Sequence, residues 1–164
     1  YVAFQREWQE LEPFDPDGHV RIGRYDTASG EWSFVYYPIE EPQSPNGGWV
    51  GLSDLTYLGD DTFAVIERDN QGGPDARIKR LYTFSTAGVS FQSDDATPGL
   101  DVVTKTLVRD HLAEGDFDTV GGAVLEKLEG LAILRDGTAF VVNDNDGVDD
   151  SSGETQLLRF PRLF

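Results

Sequence analysis

K-L-E-G-L-A-I-L-R-D-G-T-A-F-V-V-N-D-N-D, from Lys127 to Asp146, is the stretch on which the fold turns, because G-L-S-D-L-T-Y-L-G-D-D-T-F-A-V-I-E-R-D-N, from Gly51 to Asn70, aligns with it without a gap. Leu55 falls on Leu131, an offset of 76 residues, and Asp60, Thr62 and Val65 fall on Asp136, Thr138 and Val141. The same offset carries Phe84 onto Phe160. A half copy precedes both: Val2 to Glu7 has the apolar-then-charged ending of Ala64 to Asp69, and R-I-G-R-Y follows it as R-I-K-R-L follows the second. Repeats are read before anything else, since each unit is one supersecondary element that buries its face against its neighbours.

Each copy reads as a meander of short strands. An apolar run, Leu131 to Leu134, meets Arg135-Asp136-Gly137; a β-rich run, Ala139 to Val142, ends in polar residues; a further strand, Thr155 to Phe160, closes the unit. Asp-Gly and Asn-Gly pairs at Asp136-Gly137, Asp17-Gly18 and Asn46-Gly47 favour tight turns, with the primed hairpin expected at the first. Thr104 to Ala113 is the one helix-compatible stretch, with Leu107, Val108 and Leu112 sharing a face before Gly115. Repeated meanders with polar residues at the same strand end predict an all-β chain of β-propeller blades, near residues 1–40, 51–84 and 127–160 of a single partial domain spanning 1–164. A β-sandwich is the alternative. Propellers have at least four blades and bare sheet edges are normally paired, so the ring is expected to be completed by another chain or fragment, or by a copy of this one.

Composition limits the partners. The net charge of −17 and a pI near 4.2 oppose phosphate backbones and anionic lipid heads, which excludes nucleic acid and argues against membrane surfaces. No apolar run is long enough to insert into a bilayer. There is no Cys, so neither disulfides nor a thiolate site can form. The start at Tyr1-Val2-Ala3-Phe4, without Met, reads as the inside of a strand and is expected of a processed or partial chain.

V-I-E-R-D (Val65 to Asp69), L-E-G-L-A-I-L-R-D-G (Leu128 to Gly137) and V-V-N-D-N-D (Val141 to Asp146) together resemble the phytase-like propeller family, whose domain is called the esterase-like activity of phytase domain. The resemblance covers about Tyr1 to Phe160 and corresponds to the C-terminal half of that domain. It implies a secreted or periplasmic protein and a phosphoric ester hydrolase. It also implies calcium, which the looser relatives, the true β-propeller phytases, hold through carboxylates.

The acidic clusters suit that metal, since calcium takes six to eight hard oxygens. Inner strands line a propeller's channel, which brings Glu129 and Asp54 there from matching strand starts; Glu67, Asp69, Asn143, Asp144, Asn145 and Asp146 end the second strands. These eight are the candidate ligands, and Arg68 is the candidate group for an anionic phosphoester. The alternative is that Asp and Asn cap turns while Glu67 and Arg68 pair with each other or with neighbours. Val142 to Gly153 is not an EF-hand: Val142 and Gly153 occupy the first and last ligating positions, and neither side chain can ligate. Arg77 to Arg80 reads as a solvated outer strand, and Trp8, Trp32, Trp49, Tyr36 and Tyr37 read as inter-blade core. The reading from a different class is a non-enzymatic, calcium-stabilised extracellular scaffold or binding module.

Overall fold

The structure, a computed structural model, describes residues 1–8, 14–145 and 155–164. The chain is all-β, built of three antiparallel sheets. The first holds β1 (Val2–Ala3), β2 (His19–Asp26) and β3 (Glu31–Pro38) in that order. The second holds β4 (Val50–Gly59), β5 (Thr62–Asp69), β6 (Lys79–Ser85) and β7 (Lys105–Asp110). The third holds β8 (Leu128–Ile133), β9 (Ala139–Asn143) and β10 (Leu157–Phe160). β4, β5 and β6 fall on one repeat copy and β8, β9 and β10 on the other, with matching order and pairing. The sheets are consecutive blades, with β1 lying against β4 and β4 against β8.

Burial follows from this stacking. A sheet covered on both faces needs apolar residues at successive positions, and β5, in the middle sheet, is buried from Phe63 to Asp69. Its odd-numbered Phe63 and Val65 join Val20, Ile22, Val35, Tyr37, Tyr82 and Phe84 between the first and second blades. Its even-numbered Ala64 and Ile66 join Leu81, Leu128, Leu131, Ala139, Val141 and Leu158 between the second and third. A third cluster, Phe34, Tyr36 and Leu100 with Phe4 and Trp8, covers the other face of the first blade. Of the expected core aromatics, Tyr36 and Tyr37 are buried, whereas Trp32 remains 43% exposed.

Two local expectations are corrected. Thr104 to Ala113 is not a helix: Lys105–Asp110 is strand β7, because the free edge of β6 offers it a ladder from Phe84↔Lys105 to Arg80↔Asp110, broken by one bulge between Leu81 and Tyr82. The primed two-residue turn lies not at Asp136-Gly137 but between β4 and β5, where Asp60 and Asp61 both take positive φ, 48° and 56°. At Asp136-Gly137 only the glycine does, at 81°. The connection from β6 to β7 leaves its own blade and runs beside β3, where Gln92 pairs with Phe34 and Val102 with Tyr36.

Candidate functional site

The polar residues gather where β5 ends and where β4 and β8 begin. A bulge interrupts β4 between Leu52 and Leu55, and another interrupts β8 between Leu128 and Gly130, so Ser53, Asp54 and Glu129 leave the regular ladder at repeat-equivalent places. Arg68, 1% exposed, reaches both: its Nε donates to Ser53 Oγ at 3.0 Å and its Nη2 to Glu129 Oε1 at 2.5 Å. Ser53 and Glu129 are each other's counterparts under the 76-residue repeat, so one guanidinium bridges the same position in two blades. Arg68 also stacks 5.1 Å from the centroid of the Trp49 ring, as does Arg6, its counterpart in the half copy. Nη1 of Arg68 is buried and makes no hydrogen bond among the described residues; Glu126 Oε1 is 3.9 Å from it.

The Asp54 carboxylate is committed to main chain, one oxygen accepting from Leu55 N–H at 2.7 Å and the other from Leu131 N–H at 2.6 Å. Glu67, 0% exposed, accepts from Tyr37 Oη, the Glu40 N–H and, with both oxygens, Lys105 Nζ. Burial pushes the Glu67 carboxyl up, and Lys105, the Glu40 N–H and the Tyr37 hydroxyl pull it back toward the ionised form. Burial and the adjoining Glu67 carboxylate raise the Tyr37 phenol far above its ordinary value, so it stays a donor.

Asp69 holds a cation already. Its Oδ1 receives Lys79 Nζ at 2.7 Å, and the same ammonium donates to the carbonyls of Asp69, Gln71 and Glu126 at 2.8 to 2.9 Å. Asp69 Oδ2 accepts the N–H groups of Arg77 and Ile78. Lys79 is 0% exposed, so the expected solvated strand around Arg77 to Arg80 is corrected: Ile78 and Lys79 are interior, and the odd cation is drawn in by four oxygens. Burial lowers the Lys79 ammonium pKa and Asp69 opposes that. The third blade repeats the contact without charge, Asn145 Nδ2 donating to Thr155 Oγ1 at 3.1 Å.

The expected ligands therefore do not converge. Asp54, Glu67, Asp69 and Glu129 each spend carboxylate oxygens on protein donors, and Asn143 Oδ1 accepts the Gln156 N–H. Asp144 and Asn145 lie at the end of β9, and Asp146 lies outside the described residues. Among the described residues no three Asp, Glu or His side chains are grouped to hold a metal ion. Among the described residues Glu67, Asp69 and Glu129 neutralise lysine and arginine, and Asp54 accepts main-chain N–H groups.

Sequence reasoning passed over one further cluster. His111, 0% exposed, shares Asp116 with Arg109: Nδ1 is 2.7 Å from Asp116 Oδ2, and Arg109 forks both carboxylate oxygens. His111 Nε2 has no hydrogen-bond partner among the described residues and the ring leans on Phe117 and Phe160. Its spacing of five residues from Asp116, with the left-handed Gly115 between, was the available signal.

A family model described as phytase-like, esterase-like activity of phytase, matches residues 1–147. This chain belongs to the phytase-like family. No curated protein and no solved structure matches it. In this phytase-like chain Arg68 and Glu129 thus tie the second blade to the third, Glu67 ties the second to the first through Tyr37, and Asp69 pairs with Lys79 inside the second blade. No helix among the described residues is long and apolar enough to cross a membrane.

Proposed function

We propose that the complete phytase-like ring is a phosphoric ester hydrolase working in the periplasm or after secretion, and that residues 1–164 supply one wall of its channel, with Arg68 binding the substrate's anionic oxygen. The observation that carries this is the donor Arg68 leaves over: Nη1, on a side chain packed almost wholly inside, has no hydrogen-bond partner among the described residues. Guanidinium forks suit phosphate oxygens. Ser53, which accepts from Nε, keeps its own proton to donate to the same ligand. Glu129 offsets the charge of Arg68, so a polyanionic substrate needs further cations. Calcium in this proposal is held by blades of the complete ring outside these residues, not through Asp54, Glu67, Asp69 or Glu129 as they stand.

The test is hydrolysis of bis(p-nitrophenyl) phosphate and of phytate by the whole assembly, with calcium and with chelator. Replacing Arg68 by Gln should raise KM about tenfold, the loss of one charged hydrogen bond. The competing reading, a calcium-stabilised scaffold or binding module, is favoured by the buried carboxylates being satisfied internally. Calcium-dependent thermal stabilisation of an assembly that turns over neither ester would select the scaffold.

A further inference from the structure

The seam between the second and third blades identifies its own continuation. On the second blade it consists of Ala64, Ile66 and Leu81, all 0% exposed, packed on Leu128, Leu131, Ala139, Val141 and Leu158. Under the 76-residue offset Ala64, Ile66 and Leu81 become Phe140, Val142 and Leu157. Those three share the opposite face of the third blade, since β9 alternates Ala139 and Val141 against Phe140 and Val142, and Val142 pairs directly with Leu157. Yet Leu157 is 57% exposed, Phe140 and Val142 are half-buried, and none of the three enters a core cluster. The face that closes one seam is present again in apolar side chains, with Phe140 where the second blade has Ala64, but outside every cluster of buried core residues among the described residues. An apolar sheet face of this kind marks an interaction surface.

We infer that Phe140, Val142 and Leu157 dock a further propeller blade from outside residues 1–164, one presenting small and aliphatic residues as Leu131, Ala139, Val141 and Leu158 do in the existing seam. This rests on the reading that the ring is completed from outside these residues, not on the hydrolase reading. A second copy of the chain fits poorly. Its remaining sheet face, on the first blade, carries the buried Arg21–Asp15 ion pair under Trp8 and Leu100, with exposed Tyr25 and Trp32 beyond. Each copy would also bring a charge of −17.

Benzoylphenylalanine at position 157, with position 57 as control, in the protein made by its own cells, followed by sequencing of the photo-cross-linked peptide, tests the inference. The expected product is a strand of alternating aliphatic residues from another phytase-like blade. Leu157→Lys should cut association with that blade tenfold or more without moving the chain's own Tm, because the side chain is solvent-facing in the isolated chain. Sedimentation velocity of the isolated chain should show a monomer. A cross-link to a second copy, one to residues 146–154, a dimer in sedimentation, or no product above the position 57 control would each overturn the inference. Hydrolysis is not read, so an inactive ring that still cross-links would remove the enzyme assignment and keep this one.

Discussion

Asp54 sits on β4 and Leu131 on β8, and the Asp54 carboxylate accepts the Leu131 N–H across the blade boundary at 2.6 Å while holding its own neighbour Leu55 at 2.7 Å. Leu55 and Leu131 are the same position in the two repeat copies. One side chain thereby satisfies main-chain amides on two blades, each just past a bulge in its strand.

Asp54→Ala should lower stability by about 1–3 kcal/mol, the penalty for a partly buried donor left unmet. Thermal unfolding measures the total. Faster hydrogen exchange at the Leu131 amide, with β2 and β3 unaffected, would locate it at this seam; uniform acceleration would place the effect elsewhere.

Lys79→Met should be more severe, on the order of 3–5 kcal/mol, because it strands the buried Asp69 carboxylate. Adding Asp69→Asn should recover part of the loss, since the amide oxygen can still accept from Arg77 and Ile78. Urea titrations of the two single variants and the double variant give the coupling directly.

Stability should fall on mild acidification through His111. Burial holds its imidazole below the ordinary pKa of 6.5, against the pull of Asp116. The unfolded chain therefore takes up this proton first, so the contribution is complete above about pH 6.5 and is lost as pH falls through the folded value. His111→Gln should flatten that limb of a pH series of urea midpoints. At lower pH Asp116 adds a second loss of the same sign, because Arg109 and His111 hold it below the usual carboxylate range despite its burial.

Gly51→Ala should disturb the junction of the first two blades. A Cβ there would stand 2.3 Å from the Gln5 carbonyl oxygen, which also accepts the Leu52 N–H. Main chain cannot swing aside as a side chain can, so a loss of about 1–3 kcal/mol is expected in chemical denaturation.

The blades were legible because burial imprints a period on the residues: Leu128, Leu131, Ala139 and Val141 repeat Leu52, Leu55, Phe63 and Val65 in kind. β7 was not, because Leu107, Val108 and Leu112 fit a helix face as well as a strand, and the edge of β6 decided between them. Glu67, Arg68, Asp69 and Glu129 could be singled out as special, but not assigned their partners. Arg68 finds Glu129 61 positions away and Glu67 finds Lys105 38 positions away, and nothing periodic announces either pairing. The Asp69 and Lys79 contact was nearer to view, ten residues apart and echoed by Asn145 and Thr155.

The excursion that carries Gln92 and Val102 from the second blade to the edge strand β3 of the first has a consequence for how such a chain can be assembled or rearranged. The first blade must already exist as a template before this lace can be laid along it, so synthesis from the N-terminus presents the two in the productive order. A protease cut between Ser85 and Lys105 would unlace the older blade while leaving the younger one's four strands continuous in hydrogen bonding. The smallest portion that could be shuffled, duplicated or transplanted intact is therefore the laced pair, not the single blade.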